Sequence, residues 1–386
     1  MELLNRIDRS KRYMLNGLLK KNGFDRWRLA FTGISEDTGE ESSFFIEFYI
    51  VNPLLSPSEC VLGFKNRVEA TEDNIAYNLA SPETYVQPSF VMVKVGRLAK
   101  NGKQINAYFP SGCMKVGTGE YIFKVGTLAE NTCVLTDNST SGSVAVTHSE
   151  LLEKPELLCS AGSMTWDLHY TIGDSFFPNY RSKLGCWSCF GARTAFGGVV
   201  ILDGEKFSVN TKSSFGYFDK NWGRNFANPF LHLSSSNLTS NISGKKLYES
   251  CFAVQGEYNR RLSILTSFEG KKLEFHAGSH KKYDIHYECT QMPSTGDDVV
   301  KLHWSVSMND HKNFIDIDVY CDTAAMFVRS YESPDGGRKV LKVLGGGSGV
   351  GEVKLYQRIK RNLELLEDIR IDSCLCEYGN IELSQT

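Results

Sequence analysis

The sequence predicts a mainly β protein built from two β-barrel or β-sandwich units. Short segments with a two-residue period recur along most of the chain, such as 44–50, 262–268 and 314–320. In the first of these, alternate residues from Phe44 to Ile50 predict a strand with one strongly apolar face. Turn-forming pairs such as Asn101-Gly102 separate these segments. Many short strands bounded by turns are typical of a sandwich or a barrel.

Residues 2–21 predict one short helix at the N-terminus. Their apolar side chains recur at three- and four-residue spacing between Leu3 and Leu18. We expect this helix to cover one end of a barrel. Peripheral contact with a membrane surface is the alternative, and it is disfavoured because Glu2 and Asp8 interrupt the basic face of the helix.

A length of 386 residues favours two domains over one. The clearest change in composition is the segment 229–245, which is rich in serine and asparagine. We place the domain boundary just before this segment. The prediction is an N-terminal β domain over residues 1–225, which includes the leading helix, and a C-terminal β domain over residues 226–386. The sequence leaves the oligomeric state open.

Charge and composition exclude several classes of partner. The net charge is −2, the pI is near 6.5 and no long basic run is present, so we expect no nucleic acid. No apolar run reaches the roughly eighteen residues that a membrane helix needs, so we expect no integral membrane segment. Eleven cysteines without a secretory signal indicate reduced thiols and a cytoplasmic location.

The most informative segment is the run 217–223, Tyr-Phe-Asp-Lys-Asn-Trp-Gly. Side chains of these types can donate a proton, pair a charge or shelter a cation. A solvated turn followed by a core tryptophan is the alternative, because turns favour the polar residues of this run. The residues by themselves leave both interpretations open.

Aromatic residues are concentrated in the middle of the chain and supply candidate ligand contacts. Trp187, Phe230 and Trp304 belong to this set, as does Tyr217 close to the acidic position. Most such rings pack the core of a protein. A barrel interior or a cleft lined by rings also suits a polycyclic or prenylated ligand. We therefore expect a hydrophobic small molecule as the partner.

No cofactor and no metal are predicted. The glycine-rich string 345–351 lacks both the Gly-Lys-Ser/Thr of a phosphate loop and the spacing of a dinucleotide fingerprint. Its alternate glycines leave one face of an extended chain bare, which lets another backbone or a ligand ring approach closely. Cys186 and Cys189 have metal-ligand spacing, but no second pair with suitable spacing accompanies them.

Three motifs occur in order along the chain. The central one is 216–223, Gly-Tyr-Phe-Asp-Lys-Asn-Trp-Gly, followed by Phe226 and Pro229. The string 23–27, Gly-Phe-Asp-Arg-Trp, precedes it, and the glycine-rich string 345–356, which ends in Leu-Tyr, follows it. Together they resemble the tocopherol cyclase-like family, which is related in pattern to carotenoid hydratases and lipocalin-type Diels–Alderases.

The resemblance implies two lipocalin-like antiparallel β-barrel or sandwich domains, with the ligand site in or between them. Three positions depart from the family pattern. Phe230 and His232 stand where the family usually carries tryptophans, and Arg26 stands where the opening motif has glycine. The substrate of the family therefore does not transfer with the fold.

The resemblance also implies a cofactor-independent cyclase or isomerase that acts on a prenylated or other hydrophobic substrate by acid catalysis. Protonation of a prenyl double bond requires a positioned acid, and burial in an apolar pocket keeps a carboxyl group neutral near pH 7. Asp219 is the predicted donor, Trp222 the ring that stabilises the carbocation, and His232 a proton relay. The predicted substrate contacts are Tyr217, Lys220, Asn221, Trp187, Phe230 and Trp304.

A non-catalytic lipocalin-like protein that binds a lipid or isoprenoid is the alternative. It needs the same aromatic lining but no acid, and Asp219, Lys220 and Asn221 would then form a structural hydrogen-bond cluster. One observation separates the two hypotheses. The cyclase requires a carboxyl oxygen of Asp219 to face an open apolar cavity, whereas the binding protein allows that oxygen to be consumed by neighbouring donors.

Overall fold

The fold is described from a computed structural model. The described residues are 12–63, 87–118, 121–128, 131–176, 185–256, 262–276, 284–292, 300–336 and 339–383.

The described chain consists almost entirely of β-strands. The first twelve strands are β1 Phe24–Ser35, β2 Glu41–Val51, β3 Phe90–Leu98, β4 Lys103–Phe109, β5 Met114–Thr118, β6 Tyr121–Val125, β7 Cys133–Leu135, β8 Ser139–Val146, β9 Gly162–Phe176, β10 Gly185–Leu202, β11 Glu205–Val209 and β12 Phe215–Gly223. The remaining strands are β13 Phe230–Ser240, β14 Cys251–Gly256, β15 Leu262–Phe268, β16 Lys271–His276, β17 Asp284–Met292, β18 Lys301–Asn309, β19 Asn313–Asp322, β20 Phe327–Glu332, β21 Lys339–Ile359 and β22 Asn362–Leu383. One α-helix, α1, spans His148–Glu153, where Thr147 and Glu150 form a capping box.

The strands form two antiparallel sheets. The first has the order β4-β3-β2-β1-β11-β10-β9-β8-β7-β6-β5, and β12 pairs with both β1 and β10. It curls on itself, because β4 contacts β8. The second has the order β16-β15-β14-β13-β22-β21-β19-β18-β17, with β20 paired to β21. The prediction of a mainly β fold with antiparallel barrel or sandwich units is confirmed.

The first sheet takes its strands from residues 24–223 and the second from residues 230–383. Each sheet encloses an apolar core of its own. The division into domains at residues 225 and 226 stays a prediction, since no independent observation separates the two units.

Strand β2 shows how one strand serves both its own core and the contact between the sheets. Phe44 and Phe48 point into the core of the first sheet. On the opposite face, Tyr49 and Val51 join an apolar cluster that also contains Val343 of the second sheet. Both faces of β2 are therefore buried, although the alternating pattern predicted one strongly apolar face.

Only part of the predicted N-terminal helix lies within the described residues. Residues 2–11 lie outside them, residues 12–16 are not helical, and Gly17–Lys20 form a short 3-10 helix. The backbone before this turn is held by side chains of the first sheet, because Met14 N donates to Asp25 Oδ2 over 2.7 Å. No helix within the described ranges is long and apolar enough to cross a bilayer.

The glycine-rich string lies on β21 and permits close approach. A Cβ added to Gly347 would overlap the side chain of Ser43, which belongs to β2 of the first sheet. A Cβ added to Gly351 would overlap the backbone oxygen of Asp318 on the neighbouring strand β19. The bare face therefore allows contact with another chain segment, as the sequence predicted.

Candidate functional site

Asp219 lies on β12 with its side chain directed at the second sheet, and it is fully buried. Arg28 Nη2 lies 2.7 Å from Asp219 Oδ2, and Arg28 Nε donates to Asp219 Oδ1 over 3.2 Å. Trp187 Nε1 and Tyr217 Oη each donate to Oδ2 over 3.0 Å. Both carboxyl oxygens of Asp219 are therefore occupied by donors.

This environment differs from the open apolar pocket that the predicted role of Asp219 as a proton donor requires, and that role stays a prediction. Arg28 makes a bidentate contact with the carboxyl group of Asp219. The cation that contacts Asp219 is Arg28 of β1 and not the adjacent Lys220. The cyclase hypothesis required a carboxyl oxygen of Asp219 to face an open apolar cavity. Both oxygens instead accept hydrogen bonds from neighbouring side chains.

Lys220 points to the opposite face of β12, into the first sheet. Its Nζ lies 3.0 Å from Asp25 Oδ1 and 3.9 Å from the centre of the Trp27 ring, and it also donates to the backbone oxygen of Arg12. Burial lowers the pKa of Lys220 to about 8 and raises the pKa of Asp25 to about 6, and the attraction within the pair opposes both shifts. The ammonium group is thus paired in the interior of the first sheet, away from Asp219, and the contact of Lys220 with a substrate stays a prediction.

A buried ionic network extends from Asp219 across the contact between the sheets. Arg28 also donates to Glu377 of β22, and Arg329 of β20 donates to the same carboxylate. Arg329 Nη1 then reaches Glu47 Oε1 of β2 over 2.9 Å. Burial acts to raise the pKa of Glu377, but Arg28 and Arg329 outweigh it and lower that pKa. The network therefore links both sheets through charged side chains.

His232 lies beside this network on β13 and is fully buried. Its Nε2 is 3.1 Å from Ser234 Oγ, and its ring centre is 4.9 Å from that of Tyr217. Burial, followed by the positive charges of Arg28 and Arg26, holds the pKa of His232 well below its usual value. The imidazole is therefore neutral. Its ring meets the ring of Tyr217.

A small cleft of about 30 Å³ opens next to Asp219, between the two sheets. Its apolar walls and polar floor are formed by Phe24, Arg26, Gly185, Cys186, Trp187, Asn221, Asn225, Phe226, Ala227, Phe230, Gln255 and Gly256. A volume of this size holds one or two water molecules. The predicted contacts Trp187, Asn221 and Phe230 thus come together in this interface cleft.

Two predicted site residues lie elsewhere. Trp222 follows Lys220 on the inward face of β12, and the Lys220 ammonium lies 5.9 Å from its ring centre. Trp304 is buried in the core of the second sheet, where its Nε1 donates to the backbone oxygen of Glu377 over 3.3 Å. The predicted contact of Trp222 with a carbocation and that of Trp304 with a substrate therefore do not fit the interface cleft.

An aromatic belt extends from the cleft along the contact between the sheets. Phe24 and Phe226 have ring centres 4.7 Å apart, and Tyr49 stacks on Phe226 at 6.0 Å. Phe90 lies 6.0 Å from Tyr49 and 5.1 Å from Tyr108. The belt is a continuous buried cluster of rings that extends from the interface cleft towards the outer strands of the first sheet.

Sequence reasoning missed the polar residues that accompany the belt. Arg26 was noted only as a departure from the family motif, and Arg28, Glu47, Gln255 and Glu377 were overlooked. Gln255 donates to Asn221 Oδ1, and the Nε of Arg26 has no hydrogen-bond partner among the described residues. The available signal was a charged residue inside an otherwise apolar strand, since such a residue must find a partner when both faces of the strand are buried.

Comparison with known proteins gives no family. No protein-family model matches the chain, and no curated protein matches it. Among solved structures, the proposed AttH protein of Nitrosomonas europaea aligns at 11% identity and a TM-score of 0.46, covering 92% of each chain. Kievitone hydratase from Nectria haematococca aligns at 9% identity and a TM-score of 0.43, covering 95% of this chain and 94% of its own. At these identities and TM-scores, the activity of neither protein can be assigned to this chain.

Proposed function

We propose that this protein binds a small, mainly apolar molecule in the interface cleft between its two sheets. The observation that carries the proposal is a polar atom in a largely apolar lining, Arg26 Nε, which has no hydrogen-bond partner among the described residues. A buried polar atom without a partner is costly, and a ligand with one acceptor would satisfy it. Phe226, Phe230 and Trp187 would enclose the apolar part of that ligand.

The hydrogen bonds of Asp219 support a binding role over acid catalysis by this residue. Its oxygens are held by Arg28, Trp187 and Tyr217, so the carboxylate stiffens the wall of the cleft. Under this proposal the side chains of Asp219, Tyr217 and Asn221 position the ligand contacts. Asp219 has no part in proton transfer to the ligand.

The present volume of the cleft admits a ligand only if part of the lining moves. Asn225, Phe226 and Ala227 belong to the short connection between β12 and β13 and form one wall. Such connecting segments shift more readily than paired strands. We propose that this connection moves outwards when the ligand enters.

The ligand class follows from the resemblance and the ring-lined walls. A prenylated or isoprenoid-like molecule with one polar end fits the aromatic belt and the polar floor. The protein would hold it without a cofactor, in the cytoplasm, between the proposed domains 1–225 and 226–386. The resemblance to the tocopherol cyclase-like family supports this choice of ligand class.

A cofactor-independent cyclase or isomerase is the second candidate. His232 favours it, because a buried neutral imidazole whose ring lies beside that of Tyr217 is a candidate relay for a proton. Its ring contacts Tyr217, which could transmit the proton towards the cleft. A cyclase of this kind would use a donor other than Asp219.

Calorimetric titration with a geranylated benzoquinone tests the binding proposal. We expect saturable binding by the wild-type protein and at least tenfold weaker binding by Ala227→Trp, which fills the cleft. Ile201→Trp, at an exposed position of β10 outside the lining of the cleft, is the control and should bind as the wild type does. Equal affinity of Ala227→Trp and the wild type would overturn the proposal.

Turnover separates the two candidates. Incubation with a panel of geranylated hydroquinols, followed by mass spectrometry and chromatography, would show a ring-closed product of unchanged mass only for a cyclase. The binding proposal predicts that the hydroquinols are recovered unchanged. Product formation that is lost in His232→Gln would favour the cyclase instead.

A further inference from the structure

We propose that a second cleft at the contact between the two sheets binds a small organic phosphate monoester. This basic cleft is lined by residues 193–195 of β10, the connection between β11 and β12 with Phe215, Ser236 of β13, and Tyr248. It has a volume of about 390 Å³, which is within the usual range for small-molecule sites. The interface cleft, by comparison, holds only water-sized molecules.

The charges at the basic cleft favour an anion. Lys212 lines it and is exposed, and its ammonium group has no acidic partner in the described part of the chain. Arg193 Nε lies 3.0 Å from Asp174 Oδ2, but Lys272 Nζ lies 3.2 Å from Oδ1 of the same carboxylate. No aspartate or glutamate is among the described residues that line the cleft. Three cations therefore face one carboxylate, which leaves two positive charges uncompensated.

The guanidinium group of Arg193 is held in the wall of the cleft. A Cβ added to Gly173 would lie 2.7 Å from Arg193 Cζ, so the group packs closely on a bare stretch of backbone. Asp174 fixes it from one side through Nε, and 31% of the Arg193 side chain stays exposed. Among the described residues, Nη1 and Nη2 have no acceptor. A planar guanidinium with two such nitrogens suits the two-point binding of phosphate oxygens.

The connection between β11 and β12 places further donors in the lining of the cleft. Lys212 N donates to Asn210 Oδ1 over 3.0 Å, and Ser214 N donates to the backbone oxygen of Asn210 over 2.7 Å, which is typical of a turn that begins at asparagine. Thr211, from this turn, and Ser236 add hydroxyl groups to the lining. A phosphate monoester has nearly two negative charges at pH 7 and three acceptor oxygens. It therefore matches both the charge excess and the number of donors.

An apolar part of the lining accommodates the organic part of the ligand. Phe215 is half-buried, and Tyr248 is 69% exposed at the rim. Lys246 Nζ lies 4.9 Å from the centre of the Phe215 ring, but it is paired with Asp372 over 2.9 Å and adds no net charge. A ring of the ligand can pack against Phe215 and Tyr248. The basic cleft therefore suits a small organic phosphate better than inorganic phosphate.

The basic cleft is separate from the interface cleft of the proposed function. Phe215 and Asn221, which line the two clefts, are at opposite ends of β12. Six residues of extended chain span about 20 Å. Each site can therefore be tested, and can fail, without the other.

Calorimetric titration with phenyl phosphate at low ionic strength tests the proposal. We expect saturable binding by the wild-type protein. Lys212→Met and Arg193→Met should each weaken it about fivefold or more, because each removes a charged hydrogen-bond donor. Lys115→Met, at an exposed position of β5, makes the same change in net charge outside the cleft and should bind as the wild type does.

Three further ligands test the chemical class. Benzoate has one charge and two acceptor oxygens, so it should bind about fivefold more weakly than phenyl phosphate. Inorganic phosphate lacks the ring and should also bind more weakly. Phenol lacks the charge and should show no saturable binding. Benzoate or phenol binding as tightly as phenyl phosphate would overturn the proposal.

Two variants that fill one cleft each identify the site. Thr211 is exposed and lines the basic cleft, so Thr211→Trp should remove phenyl phosphate binding without unfolding the protein. Ala227→Trp should leave that binding intact, and Lys212→Met should leave binding of the geranylated benzoquinone intact.

The proposal is wrong if the wild type shows no saturable binding of phenyl phosphate, or if Thr211→Trp or Lys212→Met binds it with unchanged affinity. Circular dichroism of each variant verifies folding. If Arg193→Met does not fold, Lys212→Met and Thr211→Trp decide the matter, because both replace exposed side chains.

Discussion

Arg28 and Glu377 form an ion pair across the contact between the two sheets, with no more than 1% of either side chain exposed. Arg28 holds Asp219 of its own sheet at the same time. Charges buried this deeply are costly unless they are paired, so each member of the network depends on the others. The relative position of the sheets is therefore tied to specific side chains as well as to apolar packing.

Replacement of Arg28 by methionine should strongly destabilise the protein. Methionine keeps much of the side-chain length but leaves Asp219 without its cation and Glu377 with Arg329 alone. We expect a loss of about 3–5 kcal/mol in the free energy of unfolding, as for other buried pairs that lose one partner. Urea denaturation followed by circular dichroism measures this loss. Lys206→Met, which breaks the exposed pair with Glu36, should cost less than about 1 kcal/mol.

The interior pair of Asp25 and Lys220 should behave as one unit. Asp25→Asn and Lys220→Met should each destabilise the protein, because each leaves a buried charge unpaired. The double variant should be more stable than the sum of the two single losses predicts. A double-mutant cycle from chemical denaturation gives the coupling energy. Additive losses would show that the two side chains do not interact.

Two glycines of β21 should respond differently to an added methyl group. In Gly351→Ala the new Cβ would overlap the backbone oxygen of Asp318, which cannot move without shifting β19. We expect a loss of about 1–3 kcal/mol, as for other overpacked sites. In Gly345→Ala the nearest atom is Cγ of the Glu377 side chain at 3.3 Å, so the loss should be smaller. Differential scanning calorimetry of the two variants tests this order.

Glu332 should make the stability of the protein depend on pH. Its pKa is raised on folding from 4.5 to about 8, so the folded state binds the proton more tightly than the unfolded state. The stabilisation from this linkage is complete below about pH 4.5 and is lost progressively as the pH rises through 8. At about 1.4 kcal/mol per pKa unit, the effect amounts to a few kcal/mol.

Denaturation of the wild type and Glu332→Gln at a series of pH values measures the effect. The difference in unfolding free energy should shift in favour of the glutamine variant between pH 5 and pH 8 and change little above pH 9. Glu364→Gln, at an exposed position of β22, serves as the reference carboxylate. Parallel curves for the wild type and Glu332→Gln would refute a raised pKa at Glu332.

The positions of the main strands could be predicted from local sequence. Residues 314–320 alternate between buried and half-buried side chains in β19, as the two-residue period indicated. Residues 217–223 formed part of a strand, β12, although a turn was one of the alternatives. In both segments the pattern that indicates a strand is contained in a few consecutive residues.

The candidate site could be predicted only in part. Tyr217, Asn221 and Trp187 do face the contact between the sheets, because alternate residues of a strand share a face. The same rule places Lys220 and Trp222 on the opposite face. The alternation of side chains along a strand does not show which buried acid is kept neutral. The surroundings that raise the pKa of a carboxyl group were expected at Asp219 and are found at Glu332.

The sequence by itself determined a mainly β chain and an aromatic middle region, since alternation and composition are local properties. Only the tertiary structure decided the ionic partners. Arg28 is 191 residues from Asp219 and 349 residues from Glu377 along the chain. The ionisation of a buried group depends on burial and on neighbours brought in by strand pairing, and no local pattern specifies which strands will meet.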